Sequence, residues 1–172
     1  MTMLPSFATL GVDPALVDAL VTAGIETPFP VQALTIPDAI AGRDVCGKAK
    51  TGSGKTLAFG LPMLMRTPRA NASQPLSLVL VPTRELAVQV TEVLEPLGKA
   101  IRRRVGAVYG GADLERQVNR LERGLDVVVA TPGRLIDLAD RGAIDLSRIT
   151  TLVVDEADRM ADMGFMPQVE WL

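Results

Sequence analysis

The chain has 172 residues, 48% of them hydrophobic, with 18 Lys and Arg against 20 Asp and Glu for a formal charge of −2. That length suits one globular domain with a sizeable core, and only 22% charged residues exclude a disordered chain. Zero histidines and one cysteine, Cys46, exclude a disulfide framework, a Cys/His zinc site and a Ser-His-Asp triad.

Taken in chain order, short apolar runs alternate with helical patterns, the signature of a parallel sheet with crossover helices. Asp13 and Pro14 open a helix carrying Leu16, Val17, Leu20 and Val21 on one face and stopping at Gly24. Pro28, Pro30 and Pro37 punctuate the next stretch, with a short helical piece between the last two. Val45, Cys46 and Gly47 read as a short strand entering a Gly-rich turn, and Cys46 reads as a small buried hydrophobe. A helix from Gly54 shows Leu57, Ala58, Leu61 and Met65, and Pro62 should bend it or end it early.

Residues 66–75 form the most loop-like stretch, and the apolar run 76–81 reads as a buried parallel strand. Leu86, Val90, Val93, Leu94 and Leu97 recur at helical spacing. Arg102, Arg103 and Arg104 read as a solvated loop edge. A strand over 105–109 ends at Gly110 and Gly111, and Leu114, Val118, Leu121 and Leu125 mark the helix after it. Val127 to Val129 is a strand, residues 135–138 lie on a helix, and Leu152 to Val154 is the last strand. Met160, Met163 and Met166 follow at roughly helical spacing and read as core. No apolar run reaches the roughly 18 residues of a spanning helix. The start lacks a charged region ahead of an apolar one, so a cytoplasmic protein is expected.

Ala49-Lys50-Thr51-Gly52-Ser53-Gly54-Lys55-Thr56 stands where a strand is expected to end and a helix to begin. Glycines let successive backbone N–H groups approach phosphate oxygens, and the helix N-terminus favours the same anion. Lys55 would reach the β- and γ-phosphates and the Thr56 hydroxyl would ligate Mg²⁺. The strict pattern has glycine where this chain has Ala49, which is tolerable if its φ is negative. The apolar run 152–154 ends in Asp155-Glu156-Ala157-Asp158. A carboxylate at the C-terminal end of a parallel strand is placed to hold Mg²⁺, which makes Asp155 the metal partner. Glu156 is then the general base or water-orienting group.

The Asp-Glu-Ala-Asp string, together with the phosphate loop, resembles the DEAD-box RNA helicases of helicase superfamily 2. Phe7 stands 17 positions before Gly24, like that family's upstream aromatic, and residues 24–32 resemble its Q motif. Pro82-Thr83-Arg84-Glu85-Leu86-Ala87 matches motif Ia, Gly110-Gly111 the GG element, and Thr131-Pro132-Gly133-Arg134 motif Ib. The resemblance implies an α/β RecA-like P-loop domain over 41–172, preceded by a Q-motif region over 1–40. It implies ATP and Mg²⁺ as cofactors, with Phe7, Gln32, Lys50, Thr51, Gly52, Ser53, Gly54, Lys55 and Thr56 around the nucleotide. Gln32 would read adenine through its amide, and Phe7 would pack near the base. Where many members carry an aromatic after the Q-motif glycine this chain has Ile25, and Phe29 could compensate.

Pro82, Thr83, Arg84, Gly110, Gly111, Thr131, Pro132, Gly133 and Arg134 would line a sequence-independent RNA path. Asp158 would couple motifs between domains. Family members continue to a Ser-Ala-Thr strand, which lies centrally in the sheet, and then to a second RecA-like domain with arginine fingers. The expected parent is a monomeric ATP-dependent RNA helicase. The chain alone would be weak or inactive, since an arginine finger contributes roughly 10³–10⁵ in rate. The alternative is a non-catalytic nucleotide- or RNA-binding module; a P-loop small-molecule kinase would leave Gln32 and residues 131–134 unexplained.

Overall fold

In a computed structural model, residues 5–50 and 52–172 are described. Thr51 of the phosphate loop lies outside them. The chain divides into two compact units, one made of the described residues up to Arg66 with Pro96–Arg102, the other of Thr67–Glu95 with Arg103–Leu172. No described helix is long and apolar enough to cross a membrane.

The first unit holds α1 (Pro14–Thr22), α2 (Pro30–Ile40) and α3 (Lys55–Arg66). Asp13 caps α1 by accepting the Ala15 N–H at 2.8 Å. Gly24 closes it at φ +76°: its N–H reaches the Val21 carbonyl while Ile25 N–H reaches that of Leu20, the two bonds of a Schellman stop. Phe7, Val12, Leu16, Leu20, Ile36, Leu57, Leu61 and Leu64 are buried. Two expectations fail here. Neither proline ends its helix: α2 continues past Pro37 to Ile40, and α3 continues past Pro62 to Arg66. Each proline forfeits one backbone bond without ending the helix, and the buried residues on both sides of Pro62 keep α3 packed through that gap.

The other failed expectation is the strand at 45–47. Residues 43–48 are irregular and exposed, and the Cys46 thiol is exposed rather than buried. A short apolar run becomes a strand only when a neighbour takes its ladder bonds, and no described strand pairs with this one.

The second unit is built on four parallel strands in the order β2-β3-β1-β4, namely β1 (Ser77–Leu80), β2 (Val105–Val108), β3 (Val127–Ala130) and β4 (Thr151–Val154). Around them run α4 (Arg84–Ala100, which belongs to this unit up to Glu95), α5 (Leu114–Glu122), α6 (Pro132–Asp140), α7 (Ala157–Asp162) and α8 (Met166–Trp171). This is the α/β fold expected from the alternating pattern. Strands β1, β2 and β3 are buried at every position, as a sheet covered on both faces requires. Leu78, Leu80, Val108, Val128 and Ala130 pack with Leu121, Leu125, Leu135, Leu138 and Met160. Along edge strand β4, Leu152 and Val154 are exposed. Of the three methionines read as core only Met160 is buried, since the exposed Met163 lies just past the end of α7 and the exposed Met166 begins α8.

Register is set at the strands' N-terminal ends by Asp126, whose side chain is fully buried. Its Oδ1 accepts from Ala70 N–H at 2.7 Å and from Arg104 Nη2 at 2.9 Å, and its Oδ2 accepts Arg104 N–H at 2.7 Å. Its backbone carbonyl accepts from Leu76 and Ser77. Arg104 also donates to the carbonyls of Arg123 and Ala70, so it is a structural residue rather than a solvated loop edge. Arg103 likewise donates to the Thr67 carbonyl. Burial pushes the Asp126 carboxyl up, but Arg104 and the backbone N–H groups of Ala70 and Arg104 outweigh it and hold its pKa below the usual carboxylate value.

Because that pKa is lowered on folding, the stabilisation is complete above the unfolded value of about 3.9. It is lost as pH falls through the lower folded value. Asp126→Asn leaves Arg104 without its counter-charge and is expected to lower the unfolding free energy by about 3 kcal/mol at neutral pH. Urea titrations between pH 7 and pH 3 should show the variant's deficit shrinking in acid. A deficit that stays constant across that range would remove the charge pair as its cause.

Candidate functional site

In the first unit the phosphate-loop residues lead into α3. Gly52 and Gly54 take φ of +82° and +80°, the left-handed region that favours glycine, whereas Ala49 is not among the positive-φ residues and its methyl is accommodated. Ser53 N–H closes a turn onto the Lys50 carbonyl at 3.2 Å. Lys55 and Thr56, half-buried, occupy the first turn of α3, while Lys50 is exposed. The Ser53 hydroxyl is buried without a hydrogen-bond partner among the described residues, an orphan polar atom that a phosphate oxygen would satisfy.

Gln32 is 1% exposed and ties the Q-motif segment to this loop. Its Oε1 accepts the Phe29 N–H at 2.8 Å, and its Nε2 donates to the Gly54 carbonyl at 2.9 Å. One Nε2 hydrogen and one Oε1 lone pair remain, which match the acceptor N7 and donor N6 of adenine. Phe29 is half-exposed beside Gly54, whereas Phe7 is 2% exposed inside the core.

In the second unit parallel pairing delivers the remaining motif residues to one edge, because every strand presents its C-terminal end there. Bonds that continue the ladder hold the exits: Val81 N–H to Ala130 O, Thr131 N–H to Val108 O and Asp155 N–H to Leu80 O, all within 3.1 Å. Pro82, Arg84, Gly110, Thr131, Pro132, Gly133 and Arg134 line one cleft of about 480 Å³ with Asp137 and Phe165. A Cβ built at Gly110 or Gly133 meets nothing within 4 Å, so their bare backbone faces open space. Thr131 stands at the N-cap of α6 with no side-chain capping bond, leaving its hydroxyl available.

Thr83 caps α4 by accepting the Leu86 N–H, and Gly111, at φ +78°, lies against the Arg84 guanidinium. Neither Thr83 nor Gly111 lines the cleft, nor do Asp155, Glu156 and Asp158. Glu156 adopts φ +52°, ψ +47°, strained for a non-glycine residue. Its N–H bonds Asp155 Oδ1 at 3.0 Å and its Oε2 accepts from Arg159 at 3.2 Å. Asp158 is exposed in the first turn of α7.

Asp137, Phe165 and Tyr109 belong to no motif legible in the sequence, yet they stand in or beside the cleft. Asp137 pairs with Arg134 at i+3 on α6, 3.9 Å away, a spacing that could have flagged it. Tyr109 lies under the Arg84 guanidinium at 5.5 Å, and its place beside Gly110 was the available signal. Phe165 had none, because a fold contact alone brings it to the cleft.

The family model described as "DEAD/DEAH box helicase" matches residues 29–172. The chain is 49% identical over 167 residues to the ATP-dependent RNA helicase DeaD of Klebsiella pneumoniae, covering 96% of this chain and 26% of that protein. It is 48% identical over 166 residues to the pre-mRNA-processing ATP-dependent RNA helicase prp-5 of Neurospora crassa, covering 92% and 14%. A solved structure, described as a hypothetical ATP-dependent RNA helicase from Sulfolobus tokodaii, is 41% identical with a TM-score of 0.83, covering 91% of this chain and 45% of that one. The chain thus spans between 14% and 45% of these relatives' length.

The two loop glycines give a differential test. Among the described residues, alanine at Gly52 meets no atom within 4 Å and should cost only the left-handed strain, about 1–2 kcal/mol. At Gly54 the added Cβ would stand 2.3 Å from Gln32 Nε2 and 2.7 Å from Phe29. Gly54→Ala should therefore destabilise more than Gly52→Ala in chemical denaturation. Equal losses would show that the Gln32 amide and the Phe29 ring move aside at no cost.

Proposed function

The chain belongs to the DEAD/DEAH box helicase family, and on that premise we propose that it is the ATP- and RNA-binding half of an ATP-dependent RNA helicase that separates short duplexes. The observation that carries this reading is the chemistry of the second unit's cleft. Two guanidiniums, a free hydroxyl and open glycine backbone converge there, and all of them suit phosphate and sugar rather than base edges. RNA would be gripped by its backbone, independent of sequence. That also reconciles a net charge of −2 with nucleic acid: the contact is a narrow track, not a basic surface.

Residues 41–172 act as the ATP-binding domain and 1–40 as the Q-motif region, in a cytoplasmic monomer that works with a second RecA-like domain. The phosphate loop holds the nucleotide's phosphates through its backbone N–H groups, with Thr51 and the Ser53 hydroxyl as further donors. Lys50 adds positive charge nearby and Lys55 balances the β- and γ-oxygens. Gln32 reads adenine with its remaining donor and acceptor. Phe29 is the aromatic open to the base, and Phe7 packs near the base from within the core.

The orphan Ser53 hydroxyl and the open Gly52 backbone fit a phosphate chain. Among the described residues no group of three or more His, Cys, Asp or Glu could hold a metal alone. One hydroxyl (Thr56) and one carboxylate (Asp155) suit Mg²⁺, which keeps several waters and takes substrate phosphates as ligands. When bound, the ion neutralises charge on the β- and γ-oxygens. Glu156 orients the attacking water and takes its proton on a carboxylate oxygen, while Arg159 holds the other side of that carboxylate. Asp158, exposed on the same turn, couples this site to the partner domain.

In a longer protein carrying this chain, RNA should stimulate ATP hydrolysis. Glu156→Gln should reduce that turnover at least about 100-fold while ATP affinity stays within about threefold. Steady-state phosphate release and nucleotide titration measure the two. Undiminished turnover would take Glu156 out of the mechanism, and no hydrolysis from any longer chain would leave a non-catalytic binding module.

A further inference from the structure

Gly110 and Gly111 leave the sheet from its edge strand, where nothing in the ladder holds them. Val108 gives its carbonyl to Thr131 on the β3 side. Backbone groups alternate sides along a strand, so those of Tyr109 point to the free edge. There the Gln117 side chain meets them. The Tyr109 N–H donates to Gln117 Oε1 at 3.0 Å, and Gln117 Nε2 donates to the Tyr109 carbonyl at 3.1 Å. A carboxamide carries a donor and an acceptor side by side, as a peptide group does. It therefore extends the edge strand's pairing by one residue without another strand. Gln117 is 7% exposed on α5, and α5 is anchored just after the glycines by Asp113, which accepts the Arg116 N–H.

The clamped residue bears directly on the cleft. The Tyr109 ring underlies the Arg84 guanidinium, and Gly111 lies 3.5 Å (as a built Cβ) from Arg84 Nη1. We propose that Gln117, which touches no ligand, is a positioning residue for RNA binding: its amide fixes the Tyr109 backbone, and through it both the Gly110–Gly111 turn and the guanidinium of Arg84. The inference rests on the reading of that cleft as an RNA track. It commits Gln117 to a role that depends on having both a donor and an acceptor.

Four forms of the chain test it against a fluorescein-labelled single-stranded oligouridylate, by anisotropy at low salt. Arg134→Ala, which removes a cleft guanidinium, should weaken binding and so checks the reading beneath the inference. Gln117→Leu keeps the bulk but loses both bonds, and should weaken RNA binding about tenfold and abolish hydrogen-exchange protection of the Tyr109 amide. Gln117→Glu keeps the acceptor but donates only when protonated, and burial raises a carboxyl's pKa. Its RNA affinity should be weak at pH 7.5 and recover toward wild type near pH 5.5, while wild type stays flat across that range.

An ionised Glu buried here could itself unfold the chain, and acid would reverse that, so circular dichroism is recorded at both pH values. Weak binding by a Gln117→Glu that is folded at pH 7.5 separates positioning from mere stability, even if Gln117→Leu fails to fold. Weak binding only where the variant is unfolded overturns the proposal. Wild-type affinity in Gln117→Leu, or no recovery of Gln117→Glu in acid, overturns the proposal while Arg134→Ala still supports the RNA track. Unchanged affinity in Arg134→Ala overturns the track and the proposal with it.

Discussion

The buried carboxylate of Asp126 determines where three parallel strands start. It binds the backbone at Ala70, ahead of β1, and at Arg104, ahead of β2, while its own carbonyl receives the first amides of β1. An ion pair at such a site is retained only if nearly every lone pair is used, since an unsatisfied buried charge costs several kcal/mol. The arrangement therefore has one permitted register, with Ser77 and Val105 both opposite Val127. A one-residue slip would also turn each buried side chain to the other face.

What happens at the opposite edge follows from that register. Four strands of four residues each, started in line, finish in line. Motifs separated by twenty or more residues in sequence thus emerge side by side as a cleft of guanidinium, hydroxyl and bare backbone. The exits differ in how they are held. The turns after β1 and β3 are helix caps with proline at or near the first position, whereas the turn after β2 leaves an edge strand and is closed by a side-chain amide from α5. Two residues past the end of β4, Glu156 is held in the left-handed region at the N-cap of α7. Strain of that kind, worth about 1–3 kcal/mol, persists where the surroundings over-determine it, here through bonds to Asp155 and Arg159.

The first unit solves a different problem, that of fixing a glycine loop at the start of α3. Gln32 does so by spending half its hydrogen-bonding capacity on Phe29 and Gly54. The other half is left for a planar partner with a complementary donor and acceptor. The same residue thus ties the loop to the segment before α2 and, in the function proposed above, would read the base as well.

The sequence by itself determined the motifs, the alternation of strand and helix, the α/β class and the family resemblance. Those rest on local chemistry: a cap at Asp13, a stop at Gly24, glycines where φ must be positive, apolar runs where a strand is buried on both faces. Tertiary structure alone decided the features whose partners lie far along the chain. Arg104 read as solvated because its carboxylate stands 22 residues away, and Asp126 itself gave no sign because its other partner is 56 residues distant. The run at 45–47 had a strand's composition but no described neighbour to receive its hydrogen bonds, so it and Cys46 are exposed. Gln117 looks from sequence like any polar position on an amphipathic helix. Only the free edge of β2 gives its amide something to complete.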